Sequence, residues 1–69
     1  MGIIRNEIRR LRFEHSEMTQ QELAEKIDLT RQTVNAIEQG KYSPSLEAAF
    51  RIAAVFGRPL ESVFHYSDE

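Results

Sequence analysis

The sequence predicts an all-α domain of five helices whose two ends form a short two-stranded antiparallel β-ribbon. Three observations carry that prediction. Residues 19–40, TQQELAEKIDLTRQTVNAIEQG, show helical periodicity twice, with a break at Asp28-Leu29-Thr30. The segment LEAAFRIAAVF, residues 46–56, is apolar on nearly every side and is bracketed by Ser45 and Gly57. Both ends of the chain carry β-branched or aromatic residues, Ile3-Ile4 and Val63-Phe64-His65-Tyr66, in place of a helical pattern.

Taken in order, a strand near residues 2–5 precedes a first helix from about Asn6 to His15, with Asn6 as N-cap and Ile8 and Leu11 facing inward. The second helix starts at Thr19, where Thr19 and Glu22 have the spacing of a capping box. Leu23, Ala24 and Ile27 share its inner face, and the small Ala24 lets a following helix cross closely. Asp28 sits where tight corners between helices favour glycine and positive φ, a conformation aspartate tolerates at some cost. Leu29 plugs the corner. The third helix runs 30–39, turns Val34 and Ile37 inward, and stops at Gly40. The fourth follows Ser45, ends at Gly57, and reads as a helix buried in the centre. A short fifth helix begins near Pro59, and a second strand is expected over 63–66. The bland alternative for both strands is a pair of frayed tails.

Sixty-nine residues make one domain, 1–69, with no separate sensing domain expected. A chain this small buries roughly 60% of its unfolded surface, and without cysteine neither a disulfide nor a thiolate metal site adds to its stability. Help must come from tight helix packing or from a second copy. A lone two-stranded ribbon is marginal in water, so Ile3, Ile4, Val63, Phe64 and Tyr66 are expected to meet another copy of the chain. Phe50, Ile52, Val55, Phe56, Leu60 and Phe64 read as core or as the seam of that dimer, not as a ligand pocket. With no signal peptide and no apolar run of about 18 residues, a cytoplasmic protein without membrane contact is expected. Two distant histidines, His15 and His65, read as surface or interface residues and imply no metal. Neither a catalytic triad, a glycine-rich phosphate loop nor a paired-carboxylate pattern is visible, so no enzyme, cofactor or small-molecule ligand is expected.

The net charge of −2 argues against a polyanionic partner until its distribution is read. Arg5, Arg9, Arg10 and Arg12 crowd the first twelve residues, whereas Glu14, Glu17, Glu22, Glu25 and Asp28 dominate the next sixteen. Such polarity is either ordinary solvated helix surface or a molecule with one phosphate-attracting side. The outer side of the third helix decides between them. It carries Arg31, Gln32, Thr33 and Asn35, donors and acceptors suited to base edges in the major groove of double-stranded DNA. Arg31 suits guanine, and Gln32 or Asn35 adenine; plain solvent exposure is the alternative for each. Gln20 and the amides opening the second helix suit a phosphate. Lys41 adds a cation. Tyr42 offers either a phosphate-binding hydroxyl or a ring packed over Pro44. Thr30 reads first as a cap and second as a contact. Residues 19–40 thus form a helix-turn-helix.

These segments, with MTQQELAEKI, TRQTVNAIEQGKYSPSLE and FRIAAVFGRPLESVF, resemble the Cro/C1-type helix-turn-helix regulators, the xenobiotic-response-element family, over about residues 6–64. The short stand-alone members typified by the cytolysin repressor are the nearest in form. The resemblance implies a lambda-repressor-like five-helix DNA-binding domain that binds a pseudo-palindromic operator as a homodimer, as a transcriptional repressor. It implies that Gln20 binds phosphate and braces the third helix, that Arg12 and Glu38 form a buried ion pair, and that Lys41, Tyr42 and Ser43 follow the DNA backbone. Ala36 stands where some phage repressors place a base-reading glutamine. One extra residue within 13–18 departs from the shortest members and is expected to lengthen the first turn. The competing reading is an antitoxin-like interaction module that regulates its own promoter.

Overall fold

The computed structural model describes residues 2–68, in the order β1 (Ile3–Asn6), α1 (Ile8–Glu14), α2 (Gln20–Lys26), α3 (Arg31–Glu38), α4 (Leu46–Phe56), α5 (Leu60–Val63) and β2 (Phe64–Ser67). The two strands pair antiparallel, Ile3 with Ser67 and Asn6 with Phe64, so the ribbon expected at the chain ends is present, shifted one residue from the expected bounds. Ile8, Leu11, Leu23, Ala24, Ile27, Val34, Ile37, Ile52, Ala53, Phe56 and Val63 form one core to which all five helices contribute. None of the described helices is long and apolar enough to cross a membrane.

Local chemistry explains the helix boundaries. Thr19, Thr30 and Ser45 each accept a backbone N–H three residues on, satisfying donors that a helix start leaves without partners. The capping box at Thr19 is complete, because Glu22 returns a bond to the Thr19 N–H at 2.8 Å. Three helices end the same way, with a left-handed residue followed by an N–H that reaches back five positions. Asp28, Gly40 and Gly57 have φ of 61°, 75° and 63°. Leu29, Lys41 and Arg58 then bond to the carbonyls of Ala24, Ala36 and Ala53 at 2.9, 3.0 and 3.1 Å.

Five details differ from the sequence expectation. Asn6 is not the N-cap of α1; Glu7 holds that place, and Asn6 closes β1. Its side chain still works at the junction, accepting from Ile8 N–H at 3.2 Å and donating to the Ile37 carbonyl at 2.9 Å, which ties the ribbon to the end of α3. Val63 is neither strand nor dimer surface: it ends α5, is fully buried, and its carbonyl accepts from the Glu7 N–H at 2.9 Å. Helix α4 is not buried all round, since Leu46 is 68% and Phe50 54% exposed. Pro59 precedes α5 as its cap residue and is not its first helical position. His15 is half-buried, its ring edge-on to Phe56 at 5.1 Å and its Nδ1 3.0 Å from the Leu11 carbonyl. The turn after α1 places Ser16 and Glu17 in consecutive left-handed conformations, φ 58° and 53°, which no glycine or asparagine announces.

Candidate nucleic-acid interface

Helix α3 stands on α2 through a buried polar hinge. Arg12, on α1, grips Glu38 with two parallel bonds, Nε to Oε2 at 2.6 Å and Nη2 to Oε1 at 3.0 Å. The remaining guanidinium nitrogen donates to the Met18 carbonyl at 2.8 Å, so the left-handed turn at Ser16-Glu17 delivers a third partner to Arg12. Both side chains are about one-tenth exposed, and among the described residues no buried side-chain polar atom lacks a partner. A bidentate pair in which each guanidinium nitrogen has a partner is the geometry in which a buried ion pair holds; removal of one partner leaves a stranded charge.

From that pair the network runs outward. Gln20, first residue of α2, donates its Nε2 protons to Glu38 Oε1 at 3.2 Å and to Asn35 Oδ1 at 3.1 Å. Gln39 donates to the same Asn35 oxygen at 3.3 Å. Gln39 was not singled out by sequence reasoning, although its position four residues after Asn35 puts both on one side of a helix.

The other sequence-predicted residues fall into two groups. Arg31 and Gln32 are exposed on the first turn of α3, while Thr33 is half-buried and shares a hydroxyl contact with Thr30 at 2.9 Å. Thr30 also accepts the Thr33 N–H, so its oxygen serves the cap. Lys41, Tyr42 and Ser43 lie exposed in the loop after α3. Tyr42 and Pro44 line a small recess with Ile4, Asn6 and Phe64, so the loop rests against the ribbon while the Tyr42 ring stays 54% exposed. Ala36 is half-buried.

Charge is distributed to match. Arg10, Arg12, Arg51 and Arg58 are each paired with a carboxylate. Among the described residues, Arg5, Arg9, Lys26, Arg31 and Lys41 make no ion pair, and of these Arg31 and Lys41 flank α3 at its two ends. Arg31 occupies the first helical position, where the helix dipole disfavours a cation, so its charge contributes nothing to the fold there. At the start of α2, the Thr19 N–H, then the Thr19 hydroxyl and Lys26, hold the Glu22 carboxyl below its ordinary range. Glu7 and Glu14 raise Arg10 further above an already high value.

Comparison with known proteins agrees with this geometry. The profile of the helix-turn-helix family matches residues 8–63. An uncharacterized HTH-type transcriptional regulator of Methanocaldococcus jannaschii is 46% identical over 66 residues, covering 96% of this chain and 98% of the relative. One from Archaeoglobus fulgidus is 44% identical over 66 residues, covering 96% and 93%. A third, from Bacillus subtilis, is 39% identical over 66 residues, covering 96% and 98%. That family is a non-enzymatic, DNA-binding class. A polar helix braced on its neighbour, free cations at both its ends and matches along nearly the whole length lead to one conclusion: the chain belongs to the Cro/C1-type helix-turn-helix family of transcriptional regulators, with a lambda-repressor-like fold.

Proposed function

We propose that this chain is a repressor that binds a pseudo-palindromic operator as a homodimer, acting on DNA in the cytoplasm. The observation that carries the reading is the unpaired Arg31 and exposed Gln32 on a helix whose inner side is locked by Arg12 and Glu38. A helix of this kind fits the major groove, about 12 Å wide, with Arg31 suited to guanine O6 and N7. The backbone amides opening α2, that of Gln20 among them, with Lys41, Tyr42 and Ser43 in the loop, suit the phosphates on either side, while the Gln20 side-chain NH2 is given to Glu38 and Asn35. Repression follows from occupying a promoter that polymerase needs.

The homodimer draws support from an apolar face that the monomer leaves open. Ile4, Leu46, Leu60 and Phe64 border one groove, with Pro44 and Ala49 between them, and Phe50 lies one helical turn beyond Leu46. Ile3 and Tyr66 are also exposed at the ribbon. Two copies joined so that their α3 helices lie about 34–36 Å apart meet successive turns of one duplex face.

Selection of bound duplexes from a random pool tests the reading, with affinity then measured against salt. The expected product is a two-fold symmetric site. Arg31→Ala relaxes preference at one position per half-site, at a cost of about 1–3 kcal/mol. Lys41→Ala weakens all duplexes alike and flattens the salt slope by about one. An Arg31→Ala protein that selects the same sequence with the same stringency refutes the assignment of Arg31 as a base reader.

A further inference from the structure

Three side-chain amides meet beside α3, and a single carboxylate decides which way each one faces. Glu38 accepts at both of its carboxylate oxygens from the bidentate Arg12. Gln20 therefore turns its NH2, not its carbonyl, toward Glu38 Oε1 at 3.2 Å. The second proton of that NH2 goes to Asn35 at 3.1 Å, which obliges Asn35 to present its oxygen. Gln39 approaches the same oxygen at 3.3 Å, so it too must present its NH2. Reversing any one of the three amides sets donor against donor or acceptor against acceptor.

The consequence falls on Asn35. Its Oδ1 carries two bonds from the protein, while its Nδ2 donates to no other described residue. A free asparagine pairs with adenine through both ends of the amide, giving to N7 and accepting from N6. With the accepting end occupied, that pairing is closed.

We propose that Asn35 reads the major groove as a hydrogen-bond donor only, selecting guanine, which offers two adjacent acceptors in O6 and N7, over adenine, whose single acceptor N7 stands beside the N6 amino group, and over cytosine, which presents its N4 amino group there. Gln20 and Gln39 are its positioning residues, and Glu38 fixes the polarity of all three. The assignment rests on the reading that α3 enters the major groove. The sequence alone offers Asn35 to adenine; the network takes that option away.

The test uses the full chain and duplexes selected from a random pool. Asn35→Ala locates the relevant base pair, as the one position whose preference it erases. At that position the wild-type protein is expected to bind guanine over adenine by about tenfold in fluorescence anisotropy titrations. Gln20→Met with Gln39→Ala frees Oδ1 and is expected to move the ratio toward adenine by at least about fivefold. The ratio, not the overall affinity, is the readout, because Gln20 also opens α2, whose backbone amides suit the phosphates. Gln39→Ala alone, altering one exposed side chain, gives a smaller shift in the same direction and covers the case in which the double variant fails to fold. Wild-type preference for adenine at that position, no position that depends on Asn35, or an unchanged ratio in a folded variant each overturns the proposal while specific binding persists. A folded wild-type protein that binds no duplex in dilute buffer overturns the DNA-binding reading itself, and the two failures are distinct.

Discussion

The corner between α2 and α3 and the face formed by α4 and the ribbon are opposites. In the corner every buried side-chain polar atom has a partner, and Arg12, the single buried cation among the described residues, is gripped by three bonds. On the other face Leu46 and Phe50 leave more than half their area to water, and Ile4 nearly as much. The corner is finished within one chain. The face is finished only by something laid against it. Rigidity is thus concentrated where geometry must be held to a fraction of an ångström, and unspent hydrophobic area where a partner is proposed to sit.

The largest effect should come from breaking the corner. Arg12→Ala or Glu38→Ala leaves an uncompensated buried charge and is expected to lower stability by about 3–5 kcal/mol in chemical denaturation. Arg12→Met with Glu38→Leu removes both charges and should recover most of that loss. Recovery of base discrimination at Asn35 is not expected, because Gln20 then has no carboxylate to orient it. Equal stability in the single and double variants would remove the buried charge from the account.

Next in size, the open face is tested by Phe50→Glu or Leu46→Glu. Both side chains are exposed in the monomer, so its melting temperature should hardly move, while the proposed dimer loses up to about 1.5–3 kcal/mol per protomer for each anchor it buries. Sedimentation velocity reads the change directly. Unchanged self-association would move the proposed interface away from α4.

Smaller effects sharpen the picture of the corner's edges. Thr19→Ala removes the cap of α2 and should cost about 1 kcal/mol. The depressed Glu22 carboxyl contributes stability that is full above its unfolded value and is lost as pH falls through its lower folded value. The gap between wild type and Thr19→Ala in thermal melts should therefore narrow in acid. Smallest of all, Asp28→Gly is expected to be neutral or to stabilise by up to about 1 kcal/mol, since φ is 61° there. A clear drop in melting temperature would show that the Asp28 side chain contributes something its geometry does not reveal.

What could be read from the sequence was local. The capping residues Thr19, Thr30 and Ser45, the stops at Asp28, Gly40 and Gly57, and the inward Leu23, Ala24, Val34 and Ile37 all depend on neighbours within about one turn. What escaped was set by distant partners. Asn6 bridges to Ile37 across thirty-one positions, a contact no spacing rule encodes. Val63 has the β-branched composition of the strand it adjoins, yet the core claims it for the end of α5. The fourth helix reads as central because Leu46, Phe50 and Ala54 are apolar, and composition alone does not distinguish burial within a chain from an open apolar surface. Ser16 and Glu17 adopt left-handed backbone in the turn that brings the Met18 carbonyl to Arg12, a conformation their residue types do not favour. In the candidate interface, Arg31, Gln32 and Asn35 stood out by residue type, whereas Gln39 acquires its meaning only from the amide it touches.

The pairing of Ile3 with Ser67 has a further practical consequence. Adjacent strands lie about 4.8 Å apart, so a linker of only a few residues joins one end of the described backbone to the other. Closing the molecule into a ring in this way restricts the denatured chain more than the native one and should raise heat resistance. Because the junction lies at the outer end of the ribbon, cyclisation offers a route to a hardier regulator with its reading helix untouched.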